Sequence, residues 1–558
     1  MRYLLSLLAL LLMPHLAAAQ ATYVLHNATI YTANTEQPTA EALAVRGNRL
    51  VMVGSAADVL ASYPEARRID AGGRTVVPGL IDAHGHLMGL ATSLIQADLV
   101  GTPSKAAIVD TLQAFAATLP EGAWLRGRGW DQNDWPTTQF PTRQVLDAAF
   151  PDRPVYLERI DGHAAWVNTA AIEATVGLGS LRTMDDPPGG HIVRTDDGAP
   201  TGVFVDAAAQ LISDQMPPLS DEALDEGLSR ALDVTARNGL TGVHDAGVDR
   251  ATVQRYQDFI DAGAFPLRLY GMIAGRGDTF THFCQNGLLH DYNGRLTVRS
   301  VKFYMDGALG SRGAALLEDY SDDAGNRGLL LQSPDTFAAN VRAALRCGLQ
   351  VNTHAIGDRA NRVVLDTYEA AIDSLGAGPG RHRIEHAQIL HPDDLPRFAA
   401  LNVIASMQPT HATSDMPWAD ERLGDERLQT AYAWNSLLES GARLALGSDF
   451  PVEDVSPIEG FYAAVTRQDA QGQPAGGWYP SERLSRTAAL HGFTIDAAYA
   501  AFQADDRGSL EVGKYADFVV LSQDLMQVPA QQILDTRVIA TYVGGAPVYH
   551  DDAWPHTP

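Results

Sequence analysis

The sequence predicts an α/β protein built on a (β/α)8 barrel, with a small β-sandwich domain formed by both ends of the chain. Three features support this fold. Eight short apolar strands recur through the middle of the chain, amphipathic stretches separate several of them, and both termini are rich in β-forming residues. Eight strand-then-helix units favour a closed barrel, with a doubly wound open sheet as the alternative.

The first twenty residues have the pattern of a secretory signal peptide. Arg2 precedes a leucine-rich run from Tyr3 to Leu12, and small residues allow cleavage after Ala19. The run is short for a membrane span, although a retained anchor is the alternative. We therefore expect residues 1–19 to be removed, leaving a secreted or periplasmic protein without stable membrane association.

Residues 20–77 and 505–558 are expected to form the composite β-sandwich domain. Both segments contain strand-forming runs interrupted by glycine turns. The runs are Val24–Tyr31, Leu43–Val53, Tyr515–Leu521 and Val538–Tyr549, with turn signals at Gly47-Asn48 and Gly544-Gly545.

Residues 78–504 are expected to form the barrel, with an insertion at about 90–238 after its first strand. The gap there is far too long for one crossover, and long insertions near a catalytic face usually shape substrate access. The eight strand candidates are Val76–Asp82, Thr241–His244, Leu267–Ile273, Val298–Met305, Gln350–His354, Arg383–His386, Val403–Gln408 and Arg443–Gly447.

One helical face can be identified after the fifth strand candidate. Ala360, Val364, Tyr368 and Ile372 recur every four residues, which places them on the same side of a helix. We expect this face to pack against the barrel.

Composition limits the classes of partner. The formal net charge is −26, so nucleic acid and anionic membrane surfaces would be repelled. A small-molecule substrate remains the expected partner, and a homo-oligomer remains open. Cys284 and Cys347 are the two cysteines; we expect them in the core, and whether they pair is left open.

Two histidines follow the first strand candidate as His84-Gly85-His86. Residues two apart in a strand point to the same side, so both imidazoles can reach one metal ion. Gly85 leaves room for a close approach. The motif alone is weak, because two solvated histidines would give the same pattern.

Four further strands carry an ionisable residue at or near their carboxyl ends: Lys302, His354, His386 and Asp449. The carboxyl ends of barrel strands converge at one mouth, where active sites are built. Any one of these residues could be structural. Their coincidence on the predicted strands favours a shared metal site.

This set resembles the metal-binding signature of the amidohydrolase superfamily. Four longer motifs narrow this resemblance: Gly129-Trp130-Asp131-Gln132, Asp161-Gly162-His163 with Asn168, Asp306-Gly307-Ala308-Leu309-Gly310-Ser311-Arg312 with Lys302, and Asn352-Thr353-His354-Ala355-Ile356-Gly357-Asp358. They resemble one branch, amidohydrolase family 3, which includes YtcJ-like proteins and N-substituted formamide deformylases. The resemblance covers nearly the whole chain after the signal peptide.

The resemblance implies a role for each metal-site residue. His84, His86, His354 and His386 would be nitrogen ligands of one or two Zn²⁺ ions, or of another divalent metal. Asp449 would be both a ligand and the general base and acid that moves the proton of the attacking metal-bound hydroxide.

Lys302 is implied to be N6-carboxylated, because the corresponding lysine of many relatives forms a carbamate that bridges two metals. An ammonium group has no lone pair with which to bind a metal. The alternative is a charged Lys302 paired with a carboxylate such as Asp306.

Candidates for the substrate pocket are Trp130, Asp131, Arg312 and His411, and His163 is a catalytic candidate that steadies the developing oxyanion. Packing or pairing within the inserted segment is the alternative for Trp130, Asp131, Arg312 and His163, and for Trp130 it is the favoured one. His411 lies just past the seventh strand candidate and could face the mouth of the barrel.

The expected function is metal-dependent hydrolysis of a carbon–nitrogen bond in an amide or N-acyl, non-peptide compound. Ester, lactone or phosphotriester hydrolysis on the same site is an alternative, because metal-activated water attacks all these electrophiles. A metal-dependent binding protein without catalysis is the third hypothesis, although binding alone would not need Asp449 as a proton carrier.

Overall fold

The computed structural model describes residues 22–120, 122–375, 380–552 and 554. The predicted signal peptide, residues 1–19, lies outside the described residues. In the part of the chain that the structure describes, none of the helices combines the length and apolar character needed to cross a bilayer.

The central sheet has eight parallel strands that neighbour one another in chain order. This order confirms the predicted (β/α)8 barrel and excludes the doubly wound alternative, in which the strand order reverses. The strands are β1 (Leu80–Gly85), β2 (Leu240–Val248), β3 (Arg268–Ala274), β4 (Leu296–Tyr304), β5 (Gln350–Ala355), β6 (Arg383–His386), β7 (Ile404–Met407) and β8 (Arg443–Leu446). A short strand, Leu289–Tyr292, pairs antiparallel with β4.

The barrel closes where the segment after β8 meets β1. The Asp82 carboxylate accepts hydrogen bonds from the Ser448 backbone N–H and from its hydroxyl, the latter at 2.7 Å. The Asp449 N–H donates to the His84 carbonyl at 2.7 Å. A Cβ at Gly447 would lie 2.5 Å from Asp82 Oδ1, so this close approach requires glycine.

The prediction for the first barrel strand was wrong at its start. Val76 belongs to a separate strand, Thr75–Pro78, which pairs with the C-terminal strand Phe518–Leu521. The barrel strand begins only at Leu80. One continuous apolar run therefore contributes strands to two different sheets. Its hydrophobicity alone does not show where one strand ends and the next begins.

Helices surround the barrel, and apolar side chains fill the space between the helices and the strands. In the helix after β5, Ala360, Val364 and Tyr368 are buried and Ile372 is half-buried, as the four-residue spacing predicted. The barrel helices are Leu87–Ser93, Asp221–Arg237, Arg250–Asp261, Gly277–Asn286, Pro334–Arg346, Asp358–Leu375, Leu395–Ala400, Pro409–Asp415, Ala419–Leu428, Trp434–Glu439, Pro457–Thr466, Arg486–Gly492 and Ile495–Ala500.

The two ends of the chain form two facing sheets with a common core, which confirms the predicted sandwich. That core joins Leu43 of one sheet to Phe518 of the other, with Trp554 buried beside them. One sheet contains Arg49–Gly54, Ala42–Arg46, Thr22–His26 and Arg67–Asp70; the other contains Ala546–His550, Val538–Val543, Phe518–Leu521, Thr75–Pro78, Thr29–Tyr31 and Thr39–Ala40. The helix Ala56–Ser62 packs on the first sheet.

The insertion between β1 and β2 contains a sheet of its own, whose strands were not predicted from the sequence. Its strands, in spatial order, are Gly190–Arg194, Pro200–Asp206, Ala164–Val167, Val155–Arg159, Leu125–Trp130 and Ala97–Asp98. Its helices are Lys105–Ala116, Gln144–Ala149, Thr169–Glu173, Leu178–Leu181 and Gln210–Ser213.

The two cysteines form a disulfide, although the sequence left open whether they pair. Cys284 lies in the helix after β3, and Cys347 caps the helix before β5. Both are half-buried against the core, so the expectation of plain core residues was incomplete. The bond joins two neighbouring helices on the outside of the barrel.

Candidate metal centre

His84 and His86 both turn their Nε2 atoms towards Asp449. The distances from these nitrogens to Asp449 Oδ1 are 3.6 Å and 3.0 Å. Their Nδ1 atoms lie against oxygen acceptors, Glu385 Oε2 at 2.5 Å and the Ala246 carbonyl at 3.0 Å. These acceptors hold the proton on Nδ1 and leave the Nε2 lone pair free to bind a metal.

Gly85, between these histidines, is required by the packing of the site. A Cβ at this position would lie 2.5 Å from the Phe450 ring. This close approach agrees with the prediction made from the sequence.

His354 and His386 come from neighbouring strands, β5 and β6. Their ring centroids are 4.6 Å apart. The Nδ1 of His386 lies 2.9 Å from Gln408 Oε1, which again leaves Nε2 free. His386 has a φ of 75°, an uncommon conformation for a residue other than glycine, and such strain is typical of functional sites.

Asp449 completes the cluster from the loop after β8. One ligand atom each from His84, His386 and Asp449 lies within 4.8 Å of the others. Burial opposes ionisation of Asp449, but the imidazoles around it outweigh burial and hold its pKa well below the usual range. Asp449 is therefore a carboxylate at neutral pH.

Lys302 lies in the same cluster. Its Nζ is 3.0 Å from His84 Nε2. Burial lowers the pKa of Lys302 to about 8, so more of the amine is neutral than in an exposed lysine. The alternative pairing with Asp306 is wrong, because that carboxylate accepts backbone N–H groups of Ala315, Ile356 and Gly357.

These residues fit a divalent metal. Burial lowers the pKa of His84 to about 4 and the pKa values of His354 and His386 well below the usual range, so all three are neutral ligands. Within the described residues, His354 Nε2 and Asp449 Oδ1 are buried without a hydrogen-bond partner. A metal ion would satisfy both atoms.

A buried network lies behind His84, and no sequence pattern indicated it. Glu385 is fully buried and also contacts Arg383, at 2.9 Å from Nη2 and 2.7 Å from Nε. Arg383 in turn contacts His244 Nδ1 at 3.0 Å and Ser406 Oγ at 2.7 Å. This network fixes the orientation of His84 from the barrel interior.

A cavity of about 2530 Å³ opens above the cluster, between the barrel and the insertion. It is lined by Asp131, His163, Arg312 and His411, four of the predicted pocket or catalytic residues. The fifth, Trp130, is absent from the lining, contrary to its assignment as a substrate-binding residue.

Trp130 is completely buried inside the insertion. Its indole N–H donates to the Leu157 carbonyl at 2.9 Å, and its ring stacks on Trp135 with Trp166 at its edge. The substrate-binding prediction for Trp130 is therefore wrong, because core packing uses the whole side chain.

The remaining pocket residues have partners. Asp131 pairs with Arg159 at 2.6 Å, and Arg312 pairs with Asp322 at 2.8 Å. Arg312 therefore lines the cavity with its charge already matched.

His163 has its Nδ1 2.7 Å from Asp206 Oδ1. Burial acts to lower the pKa of His163, but the hydrogen bond to Asp206 and the charge of Asp161 raise it to about 8. The sequence missed Asp206, which the pairing of two insertion strands brings beside His163.

The amidohydrolase family model matches residues 67–549. The chain belongs to the amidohydrolase family. The resemblance stated from the motifs is thus confirmed, and this amidohydrolase is a metal-binding hydrolase by family.

Relatives cover almost the whole amidohydrolase chain. It is 35% identical to Protein LONG AFTER FAR-RED 3 of Arabidopsis thaliana, over 96% of this chain and 92% of that one. It is 30% identical to N-substituted formamide deformylase of Arthrobacter pascens, over 93% and 96% of the two chains.

A solved structure is similar as well. It is that of an uncharacterized metal-dependent hydrolase from Pyrococcus horikoshii OT3, with a TM-score of 0.75 and 27% identity. The similarity covers 91% of this chain and 99% of that one.

Proposed function

We propose that this amidohydrolase cleaves a carbon–nitrogen bond in an amide or N-acyl, non-peptide compound with the help of a bound divalent metal, Zn²⁺ being the expected ion. The observation that carries this proposal is the buried cluster of His84, His386 and Asp449, whose ligand atoms lie within 4.8 Å of one another. The formamide deformylase among its relatives acts, by its name, on the same class of bond.

His84, His86, His354, His386 and Asp449 would hold the metal, joined by Lys302 if its amine is carboxylated. When bound, such an ion polarises a carbonyl group and lowers the pKa of water to about 7. The lowered pKa of Lys302 supports carboxylation, since only a neutral amine reacts with carbon dioxide.

Asp449 accepts the proton of the attacking water at a carboxylate oxygen and delivers it to the departing nitrogen. Its 3.0 Å separation from His86 Nε2 keeps it at the centre of the cluster. His163, protonated at neutral pH by its contact with Asp206, donates a hydrogen bond to the carbonyl oxygen as that oxygen gains negative charge.

The test combines metal analysis with turnover of N-formyl amines, N-acyl amino acids, esters and lactones. Wild type is compared with Asp449→Asn and with Asp505→Asn, a control at an exposed position. We expect carbon–nitrogen cleavage to fall at least about 100-fold in Asp449→Asn alone. Faster turnover of esters or lactones than of any amide would overturn the proposed bond type.

We also propose that the protein is exported. The Cys284–Cys347 disulfide supports this proposal, because disulfides persist in oxidising compartments such as the periplasm. Detection of the mature protein, beginning at residue 20, in a periplasmic or extracellular fraction tests it; an intact N-terminus in the cytoplasm contradicts it.

A further inference from the structure

The charges of the cavity wall are strongly unbalanced. Fourteen aspartate or glutamate residues line it, against six arginine or lysine residues. Low-dielectric walls focus such a field on whatever enters the cavity. The wall therefore disfavours anionic substrates unless some cationic side chain is free to bind them.

The five arginines among these six residues all contact an acceptor, and the sixth residue, Lys302, belongs to the metal centre. The arginine partners are Ile160 O for Arg128, Asp161 for Arg159, Met184 O for Arg194, and Asp322 for both Arg312 and Arg422. An incoming carboxylate or phosphate would compete with contacts that these arginines already make.

Glu453 presents the opposite situation. It lines the cavity with a side chain only 18% exposed, and no arginine or lysine among the described residues pairs with it. Its contacts are the Ser414 hydroxyl at 2.6 Å and His411 Nε2 at 3.9 Å. A carboxylate that is mostly removed from water without a counter-charge is costly, and a bound cation would relieve that cost.

Glu453 is also close to the reacting centre. His411 Nε2 lies 3.7 Å from Asp449 Oδ2 as well as 3.9 Å from Glu453 Oε1. The two carboxylates therefore approach the same imidazole nitrogen. Burial, with the nearby charges of Asp415 and Asp449, raises the pKa of Glu453 to about 8, as expected for a carboxylate that lacks a cation.

We infer that Glu453 determines substrate specificity, and that the substrate carries an organic cation, such as a protonated or quaternary amine, next to the bond that is cleaved. The cationic group lies against the Glu453 carboxylate, beside His411 Nε2.

This inference rests on the proposed function for the chemistry at the metal centre, but its test does not need hydrolysis. The probes are choline and its uncharged isostere 3,3-dimethyl-1-butanol, titrated calorimetrically into the zinc-loaded protein. The quaternary ammonium of choline has no lone pair, so its nitrogen cannot bind the metal. A preference for choline over the isostere therefore reports recognition of the positive charge. If none of the amides tested for the proposed function is hydrolysed, the binding result can still be interpreted, because it does not depend on turnover.

We expect the wild type to bind choline at least about tenfold more tightly than the isostere. In Glu453→Gln the preference falls to within about twofold, while Asp454→Asn, which removes the same charge from the exposed neighbouring side chain, retains it. Thermal unfolding confirms that each variant is folded.

Two results would overturn the inference. One is a wild type that binds both probes equally or binds neither. The other is a choline preference that survives in Glu453→Gln, since the general negative field of the cavity, rather than this carboxylate, would then be responsible.

Discussion

Replacement of Glu385 by glutamine tests whether the buried network behind His84 controls the metal centre. In the wild type Glu385 Oε2 accepts from both His84 Nδ1 and Arg383 Nη2, and Oε1 lies 2.7 Å from Arg383 Nε. An amide of the same size has one oxygen and no charge, so its NH₂ must face either Arg383 Nε or the pair of donors that Oε2 accepted from. The proton on His84 Nδ1 is then no longer fixed by a charged acceptor.

The magnitude follows from the two roles of this carboxylate. Loss of an acceptor behind a metal-binding histidine weakens metal affinity by about 10–100-fold, or roughly 1.4–2.8 kcal/mol. Loss of one partner from a fully buried ion pair lowers the free energy of unfolding by about 3–5 kcal/mol, because Arg383 stays buried and unmatched.

Both quantities can be measured on the metal-depleted protein, by zinc titration against a competing chelator and by denaturant unfolding. The control is Glu482→Gln, which removes another buried carboxylate, bonded to the Ser436 N–H at 3.0 Å in the helix Trp434–Glu439 and not to a residue of the metal site. We expect the control to lose stability without losing zinc affinity. A folded Glu385→Gln protein that binds zinc within about twofold of wild type would refute the reasoning.

Three further outcomes are expected. Gly85→Ala lowers the free energy of unfolding by about 1–3 kcal/mol and weakens zinc binding, because its methyl group has no space; an unchanged denaturation midpoint contradicts this. Reduction of the Cys284–Cys347 bond lowers stability by about 2–4 kcal/mol in chemical denaturation, while turnover at 25 °C of the folded protein is unaffected. Asp206→Asn lowers the free energy of unfolding by about 1–2 kcal/mol at pH 6. This difference from wild type disappears as the pH rises through 8, because His163 then loses its proton in the folded state. A stability difference that grows with pH would contradict the pairing of His163 with Asp206.

The positions of the metal-site residues could be predicted because the carboxyl ends of barrel strands must meet. Polar residues at or near five such ends left few alternatives, and His84 and His386 do approach each other, with ring centroids 4.8 Å apart. Glu385 could not be predicted in the same way. In a regular strand it would face away from the side that His386 faces, yet both contact His84, because the positive φ of His386 ends the regular alternation.

The insertion was the least predictable part, for a related reason. Its strands are short, and its sheet forms by pairing between segments whose register no local pattern fixes. The contact of His163 with Asp206 and the burial of Trp130 both depend on that register. The family motifs therefore identified this part of the insertion as relevant to the site. They did not show which of its side chains reach the cavity.

The insertion and the barrel nevertheless meet at the loop that carries Asp449. Arg128 of the insertion donates to the carbonyl of Pro451, two residues after Asp449, and to the Ile160 carbonyl at 2.7 Å. The barrel holds the same loop from below through the bond from the Asp449 N–H to the His84 carbonyl. The Asp449 carboxylate is thus held by contacts with both the insertion and the barrel. A rearrangement of the insertion that accommodates a new substrate must therefore preserve the Arg128 contact; otherwise Asp449 would shift away from the metal ligands.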